Sequence, residues 1–245
     1  MKNNILLLLL VVSLVSCAHK SGHKEQMSRK LINERNILER TTKTTTKPVI
    51  TIKKGNSNAL DGAEIFKRYN SAVFMVFTSD GLNNYQGSGF FIDSEGLAVS
   101  NYHVFKGTNI GGENIKLAGN DNLYKVSEVI QSSEQGDFIL FRVNCSKTNF
   151  IPIAGKKPSV GEKVFAIGSP RGLENTFSSG EVSQWRDNNL MQISALIDHG
   201  SSGGALINEY GQVVGITSGS FYDGSQANLN YAWSIDVIKP YCSIN

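Results

Sequence analysis

Short apolar or alternating runs separated by turn residues recur from residue 72 onward, and this pattern constrains the fold more than any other feature. Period-two alternation is typical of strands with one buried face, and this spacing of turns is typical of barrels and sandwiches. Two groups of six runs therefore predict an all-β fold with two six-stranded antiparallel β-barrels. The runs are 72–78, 87–93, 97–100, 114–119, 123–131 and 137–143, then 163–169, 176–185, 190–197, 204–208, 212–219 and 229–235.

Helix is predicted at two places in the folded domain, with "RKLINERNILER" (29–40) of the preceding segment as a further candidate for a short helix. The stretch "DGAEIFKRY" (61–69) begins with Asp61, a residue type that caps helix N-termini by accepting backbone N–H groups. A last helical turn is expected near 236–242.

The N-terminal stretch "MKNNILLLLLVVSLVSC" has the features of an export signal. Its apolar run from Ile5 to Val15 is shorter than the ~20 residues that a membrane-spanning helix needs, but it suits a signal-peptide core. The ending "LVSC" resembles the lipobox of bacterial lipoproteins, which implies cleavage after residue 16 and lipidation of Cys17; an ordinary secretory signal that ends in Cys is the alternative. We expect an exported lipoprotein of the cell envelope, at the periplasmic face of a membrane, held there by its lipid.

Residues 17–58 are predicted to be a disordered linker. Between residues 18 and 54 ten Lys or Arg stand against three Glu, and "TTKTTTKP" has no apolar periodicity. No aromatic residues are interleaved with this charge to stack on bases, so a nucleic-acid partner is not expected. The folded domain is predicted at 59–245, with barrel 1 at about 61–152 and barrel 2 at about 160–240.

Two further cysteines and two histidines of the predicted domain carry side chains capable of disulfide or metal chemistry. Cys145 and Cys242 could form one disulfide in an exported protein, and the sequence leaves this open. His103 and His199 have no neighbours at metal-ligand spacing, so neither a metal nor another cofactor is expected.

Three stretches carry residues suited to nucleophilic catalysis: "VSNYHVF" with His103, "QGDFILFRV" with Asp137, and "DHGSSGGALIN" with Ser202. A serine hydroxyl needs an imidazole to take its proton and an acid to orient that imidazole. It also needs backbone N–H groups aimed at the developing oxyanion, and neighbouring glycines allow the required tight loop. Each residue alone is weak evidence, but the three occur in the order His, Asp, Ser across the two groups of strands.

These stretches resemble the HtrA/Deg family of bacterial trypsin-like serine proteases, in the chymotrypsin clan. "GSGFFIDSEGLAVSNYHVFKG" is similar to the family segment that carries the catalytic His, and "GDFILFRV" to the one that carries the Asp. "VGEKVFAIGSPRGLENTFSSGEVS" and "MQISALIDHGSSGGALINEYGQVVGI" match the family over nearly their whole length. The resemblance covers about 61–240, the protease domain only; no PDZ domain is expected after it.

The resemblance implies a serine endopeptidase that cuts polypeptides of the cell envelope. Ser202 would be the nucleophile, His103 the general base and then acid, and Asp137 the orienting carboxylate. The backbone N–H groups of Gly200 and Ser202, helped by Ser201, would form the oxyanion hole. A trimer is one arrangement that the family allows, although the sequence does not fix the oligomeric state.

The substrate pocket is expected to involve Leu196, His199, Thr217 and Ser218. The chain departs from the family at Asp198-His199, where Asn-Pro or a similar pair is usual. Leu196 falls at the predicted pocket floor, and an aliphatic floor favours cleavage after small or medium apolar residues. His199 is expected at the pocket rim, with a turn residue that makes no substrate contact as the alternative.

Two other functions were weighed. One is a non-catalytic, chaperone-like protein that holds extended chains in a protease-derived groove; the presence of all three catalytic residue types counts against it. The other is an esterase, but its usual nucleophile elbow needs a helix after the serine, whereas strands are predicted there.

Overall fold

The computed structural model describes residues 47–50, 55–56, 58–220 and 229–244. The predicted signal peptide, Cys17 and most of the predicted linker lie outside the described residues. Within those ranges no helix combines the length and apolar character needed to cross a membrane.

β-Strand predominates over helix in the described residues, as predicted. Their two α-helices are α1 (Gly62–Tyr69) and α2 (Tyr102–Phe105), with 3₁₀ turns at Asn70–Ala72, Pro170–Gly172, Ile235–Val237 and Lys239–Tyr241. The strands are β1 (Val49–Ile50), β2 (Val73–Ser79), β3 (Asn84–Phe91), β4 (Leu97–Ser100), β5 (Asn114–Leu117), β6 (Leu123–Tyr124), β7 (Val126–Ser133), β8 (Phe138–Val143), β9 (Lys163–Gly168), β10 (Thr176–Trp185), β11 (Leu190–Ile193), β12 (Ala205–Asn208), β13 (Val213–Ser220), β14 (Asn230–Ser234) and β15 (Ser243–Ile244).

Helix α1 begins where its cap residue predicts. Asp61 Oδ1 accepts the backbone N–H of Glu64 at 2.8 Å, which satisfies a donor that the first helical turn leaves unpaired. Ile65 is the buried residue of the helix and packs into the core. The N-cap assignment of Asp61 is therefore confirmed.

The C-terminal half forms a closed barrel. Its six strands follow the order β10-β11-β14-β13-β12-β9, and every neighbouring pair is antiparallel. Alternate side chains point inward and fill the barrel; they include Val164, Ala166, Val182, Met191, Ile193, Leu206, Val214 and Ala232. This is the second six-stranded barrel that the sequence predicts.

The N-terminal half is a curled sheet of seven strands, in the order β6-β5-β2-β3-β4-β8-β7. The predicted strand 123–131 is split at Lys125: its first part pairs with β5 and its second part with β8, at opposite edges of the sheet. Shifts in register along the β7–β8 pair bend this strand further. The double-barrel architecture is confirmed, but the first sheet has seven strands because one predicted strand is broken.

A single apolar cluster joins the two halves. Phe90, Val99 and Leu140 of the N-terminal sheet belong to the same cluster as Ile167 and Ile207 of the closed barrel. The ends of several strands from both halves therefore meet along one cleft, where side chains from distant parts of the sequence come together.

The folded part begins earlier than residue 59, contrary to the predicted boundary. Strand β1 pairs in parallel with β15, and Ile50 is only 1% exposed in the cluster that joins the two halves. Lys47 Nζ donates to the Pro240 carbonyl, and Asn56 N donates to the Tyr210 carbonyl. The stretch was predicted to be disordered because it is rich in Lys and Arg, and its few buried residues are too scattered to form a recognisable pattern.

Cys145 and Cys242 are free thiols, so the disulfide that the sequence left open is not formed. Cys242 is buried in the cluster that joins the two halves, whereas Cys145 packs against the core of the N-terminal sheet. Burial raises the pKa of both thiols to about 11.

Candidate active site

His103 and Asp137 lie side by side because β4 and β8 are antiparallel neighbours, with Ser100 opposite Ile139. The end of β4 and the start of β8 therefore meet at one edge of the sheet. His103 Nδ1 is 2.9 Å from Asp137 Oδ2 and 3.0 Å from Oδ1, and its backbone N–H donates to Oδ1 at 3.1 Å. This arrangement orients the imidazole, and it leaves the other ring nitrogen for proton exchange.

Asp137 is held by two further side chains. Asn101 Nδ2 donates to its backbone carbonyl at 2.8 Å, and Ser218 Oγ donates to Oδ2 at 2.8 Å. Asp137 itself has a φ of 44°, in the left-handed region that Asp tolerates better than most residues. The residue is thus fixed through both its backbone and its carboxylate.

Ser218 was predicted to line the substrate pocket, and in the structure its hydroxyl binds the carboxylate of Asp137. A register shift between Thr217 and Gly219 interrupts the β13–β14 pairing, and the Ser218 hydroxyl reaches Asp137. Its neighbour Thr217 does line the cavity described below. The contact of Asn101 with Asp137 was not anticipated, although Asn101 lies only two residues before His103.

Ser202 lies in the loop between β11 and β12, which is packed against the N-terminal sheet. Its carbonyl accepts the backbone N–H of Ser88 at 2.8 Å, and Gly203 N–H donates to the Thr217 carbonyl at 2.7 Å. A Cβ at Gly219 would lie 3.5 Å from Ser202 Oγ, so this hydroxyl faces the backbone immediately after Ser218. The serine is thereby placed next to the group that binds Asp137.

Gly87 lies between two segments, one that carries His103 and one that carries Ser202. A Cβ at Gly87 would be 2.6 Å from Val104 Cγ1 and 3.2 Å from the Ser202 carbonyl oxygen. His103 and Ser202 therefore border the same cleft. Within the described part of the chain, Ser202 Oγ makes no hydrogen bond to the His103 ring.

The backbone of the loop before Ser202 leaves two amides open. The His199 carbonyl accepts the backbone N–H of Arg171 at 2.8 Å, and the Gly200 carbonyl accepts Ser88 Oγ at 2.7 Å. Within the described chain, the N–H groups of Gly200 and Ser202 donate to no protein acceptor. Ser201, predicted to assist them, has its N–H bonded to the Asp198 carbonyl at 2.9 Å and is not available.

Gln86 bridges this loop and the turn that follows β9, a role that the sequence did not reveal. Its Nε2 donates to the Ser169 carbonyl at 2.8 Å, and its Oε1 accepts Gly172 N–H at 3.0 Å. A Cβ at Gly200 would approach Gln86 Oε1 to 2.2 Å. Gln86 therefore packs directly under the glycine whose amide is open.

A cavity of about 850 Å³ lies beside Ser201, with Leu196, His199 and Thr217 among its lining residues. Leu196 is 66% exposed, so it belongs to the rim and is not the buried floor that the sequence predicts. The buried lining residues include Ile167, Ile197, Thr217 and Asn230. The cavity is thus mostly apolar, with a few polar groups in its interior.

The described residues contain no cluster of side chains suited to binding a metal ion. No group of three or more His, Cys, Asp or Glu side chains is close enough there to hold a metal ion. The polar contacts of the site are instead those of a hydroxyl, an imidazole, a carboxylate and open backbone amides, a set suited to acyl transfer.

The known proteins to which this chain is similar include proteases. The chain is 29% identical over 214 residues to Protease Do-like 1, chloroplastic, of Arabidopsis thaliana, covering 77% of this chain and 48% of that protein. It is 33% identical over 168 residues to the probable periplasmic serine endoprotease DegP-like of Rickettsia prowazekii, covering 63% of this chain and 32% of that protein. The chain thus spans between about a third and a half of these relatives.

A solved structure shares the fold. The serine endoprotease from Yersinia pestis superposes with a TM-score of 0.66 at 24% sequence identity, over 75% of this chain and 66% of that one. Residues 87–216, more than half of the chain, match the trypsin-like peptidase domain family, and this stretch contains His103, Asp137 and Ser202. The chain therefore belongs to the family of trypsin-like peptidase domains.

Proposed function

We propose that this protein is a serine endopeptidase of the HtrA/Deg type, with Ser202 as nucleophile, His103 as general base and acid, and Asp137 as orienting carboxylate. The observation that carries the proposal is the contact of 2.9 Å between His103 Nδ1 and Asp137 Oδ2, on the cleft that Ser202 borders. The names of the relatives, which are proteases, support the same activity.

The reaction would proceed through an acyl-enzyme. Ser202 Oγ attacks the scissile carbonyl carbon while its proton passes to His103, and the C–N bond then breaks as His103 gives that proton to the leaving amine. Water repeats the sequence to release the acid and restore Ser202. Asp137 holds the tautomer of His103 with the proton on Nδ1 and stabilises the ring when it is charged.

The open amides of Gly200 and Ser202 are proposed to bind the oxyanion of the tetrahedral intermediate. A donor of this kind accelerates acyl transfer by about 10²–10³ in related mechanisms. Catalytic contacts are often long until substrate binds, so we expect the hydrogen bond between Ser202 and His103 to form in the complex with substrate.

The substrate backbone is proposed to add to β13 as a further strand. β12 pairs with β13 as far as Ile216, and the backbone of Thr217 bonds to Gly203 and Gly204, so the edge beside Ser202 is open from Ser218 onward. Because Gly219 faces the Ser202 hydroxyl without a side chain, an extended peptide can approach the nucleophile there.

Export and anchoring are part of the proposal. The resemblance of "LVSC" to a lipobox supports lipidation of Cys17 and attachment to a membrane of the cell envelope, and the relative from Rickettsia prowazekii is named as periplasmic. Polypeptides of that compartment would then be the substrates. When the proteins are expressed in a bacterium supplied with [³H]palmitate, we expect the wild type to incorporate the label and Cys17→Ala not to incorporate it.

Labelling with a fluorophosphonate probe tests the catalytic assignment. We expect wild type to be labelled, Ser202→Ala to be unlabelled, and His103→Ala to be labelled far more slowly. Ser183→Ala, an exposed serine on β10, is the matched control and should behave as wild type. Folded wild type that takes up no probe, yet suppresses aggregation of an unfolded protein, would instead indicate the non-catalytic binding protein.

A further inference from the structure

Asn230, the first residue of β14, is a buried polar side chain that the proposed mechanism does not use. It is 2% exposed and lines the cavity beside Ser201 and Thr217. Among the described residues its side-chain amide has no hydrogen-bond partner, whereas the hydroxyl of Thr217 already donates to the Ser201 carbonyl at 2.7 Å. Building on the proposed function, we propose that Asn230 determines specificity by hydrogen-bonding a neutral polar P1 side chain of the substrate.

The position of Asn230 on its strand directs the side chain inward. Burial alternates along β14, with Asn230, Ala232 and Ser234 buried and the residues between them partly exposed. Ala232 belongs to the interior of the closed barrel, so Asn230 shares that inward face. It lies opposite the buried Ile193, at the end of the barrel where the cavity opens.

The surroundings of Asn230 make an unpaired amide costly once a substrate side chain fills the cavity. Ile167, Ile197 and Phe177 contribute apolar lining, so the entering side chain displaces water from the Asn230 amide without replacing its hydrogen bonds unless it is itself polar. A substrate side chain that carries a hydroxyl or an amide would supply the missing partner. A purely apolar side chain of the same size would leave the amide unsatisfied.

The charged residues that line the cavity indicate which P1 residue, the substrate residue before the cleaved bond, can bind there. Arg171 and Asp198 both line the cavity. Their side chains form an ion pair with each other. No carboxylate of the described lining is therefore left unpaired to receive Lys or Arg. The P1 residue should be neutral and polar, and this replaces the apolar preference expected when Leu196 was taken as the pocket floor.

Peptide substrates with isosteric P1 pairs test the inference. The pairs are Asn against Leu, Gln against Met, and Thr against Val; the first two carry an amide and the third a hydroxyl. We expect kcat/KM of wild type to favour the polar member of at least one pair by about tenfold or more. The pair with the largest ratio identifies whether an amide or a hydroxyl is recognised.

Variants separate this role from a structural one. Asn230→Leu should remove or reverse the ratio within the preferred pair, and Asn230→Ala, which adds no bulk, should remove it as well. Asn122→Leu, at an exposed turn before β6, is the control and should keep the ratio of wild type. A purely structural role for Asn230 would lower kcat/KM for both members of a pair equally.

Fluorophosphonate labelling of every variant distinguishes the failure of this inference from failure of the proposed function. Labelled wild type that prefers apolar P1 residues, or shows no preference in any pair, overturns the role of Asn230 and leaves the peptidase proposal intact. Wild type that is neither labelled nor active on any peptide overturns both.

Discussion

Arg171 and Asp198 form an ion pair with 2.8 Å between Nε and Oδ2, which ties the turn after β9 to the loop that leads to Ser202. The backbone N–H of the same arginine holds the His199 carbonyl at 2.8 Å, turned away from the open amide of Gly200. Arg171 adopts a φ of 53°, a conformation that the surrounding contacts must hold in place. Arg171 thus contacts the loop before Ser202 through both its backbone and its side chain.

Arg171→Ala is expected to reduce catalysis much more than stability. Loss of the ion pair frees the loop before Ser202, so kcat should fall by about tenfold or more, since small displacements of catalytic groups are costly. The pair is exposed, so the free energy of unfolding should change by less than about 1 kcal/mol. Active-site titration with kcat measurement and urea denaturation check the two parts, with Lys156→Ala, an exposed lysine elsewhere, as control. An unchanged kcat would contradict the positioning role.

The charge state of Asp198 sets the pH range of this effect. The backbone N–H of His199 and the guanidinium of Arg171 lower the pKa of the Asp198 carboxyl below its ordinary value. A lowered pKa means that the contribution of the pair is present above the ordinary value and is lost as the pH falls through the lowered one. The kcat ratio of wild type to Arg171→Ala should therefore be constant from neutral pH upward and shrink only in acid.

Gly203→Ala is expected to abolish the site. Gly203 has a φ of 88°, and a Cβ there would lie 2.1 Å from the Ser88 carbonyl oxygen and 2.3 Å from Ser100 Oγ. The left-handed conformation costs about 1–2 kcal/mol for a residue with a Cβ, and overpacking adds about 1–3 kcal/mol. Probe labelling should be lost, and the urea midpoint should fall.

Gly161→Ala is the matched control for that variant. Gly161 has a similar φ of 86°, but a Cβ there meets no atom within 4 Å. It should show only the conformational cost of about 1–2 kcal/mol and keep full labelling. Equal effects of the two variants would mean that crowding around Gly203 is unimportant.

Ile50→Ala is expected to destabilise the domain although Ile50 lies in the segment predicted to be a linker. Its side chain is 1% exposed in the cluster that joins the two halves, and truncating such a residue costs about 2–5 kcal/mol. Val49→Ala, on the 50% exposed neighbour, should change stability by no more than about 0.5 kcal/mol. Urea denaturation of both variants measures the difference, and indistinguishable midpoints would show that β1 does not contribute to the core.

Local patterns explain why most of the fold could be predicted and why the sequence singles out three candidate site residues. Strand alternation is visible over four to eight residues, and each segment around His103, Asp137 and Ser202 carries its own pattern of glycines and apolar residues. The break at Lys125 was not predicted, because the apolar residues on both sides of it read as one run in the sequence although the pairing partner changes there.

Contacts between distant segments explain what the sequence could not reveal. The pairing of β1 with β15 joins segments about 190 residues apart (Lys47 to Pro240 differs by 193), and two-residue strands have no periodicity to detect. The contact of Ser218 with Asp137 depends on a local register shift. The bridge made by Gln86 depends on how the two halves pack, which one position in a sequence does not encode.

The two thiols should react slowly with alkylating reagents while the protein is folded. Burial raises the pKa of both Cys145 and Cys242 to about 11, so at about pH 8 only about one molecule in a thousand carries a given thiolate. Because the pKa is raised, the reactive form appears only as the pH rises towards that value. Iodoacetamide labelling followed by mass spectrometry should give little modification of native protein and two labelled sites at these positions in urea without reductant. A fragment linking the two cysteines, or full resistance in urea until reductant is added, would show that they pair after all.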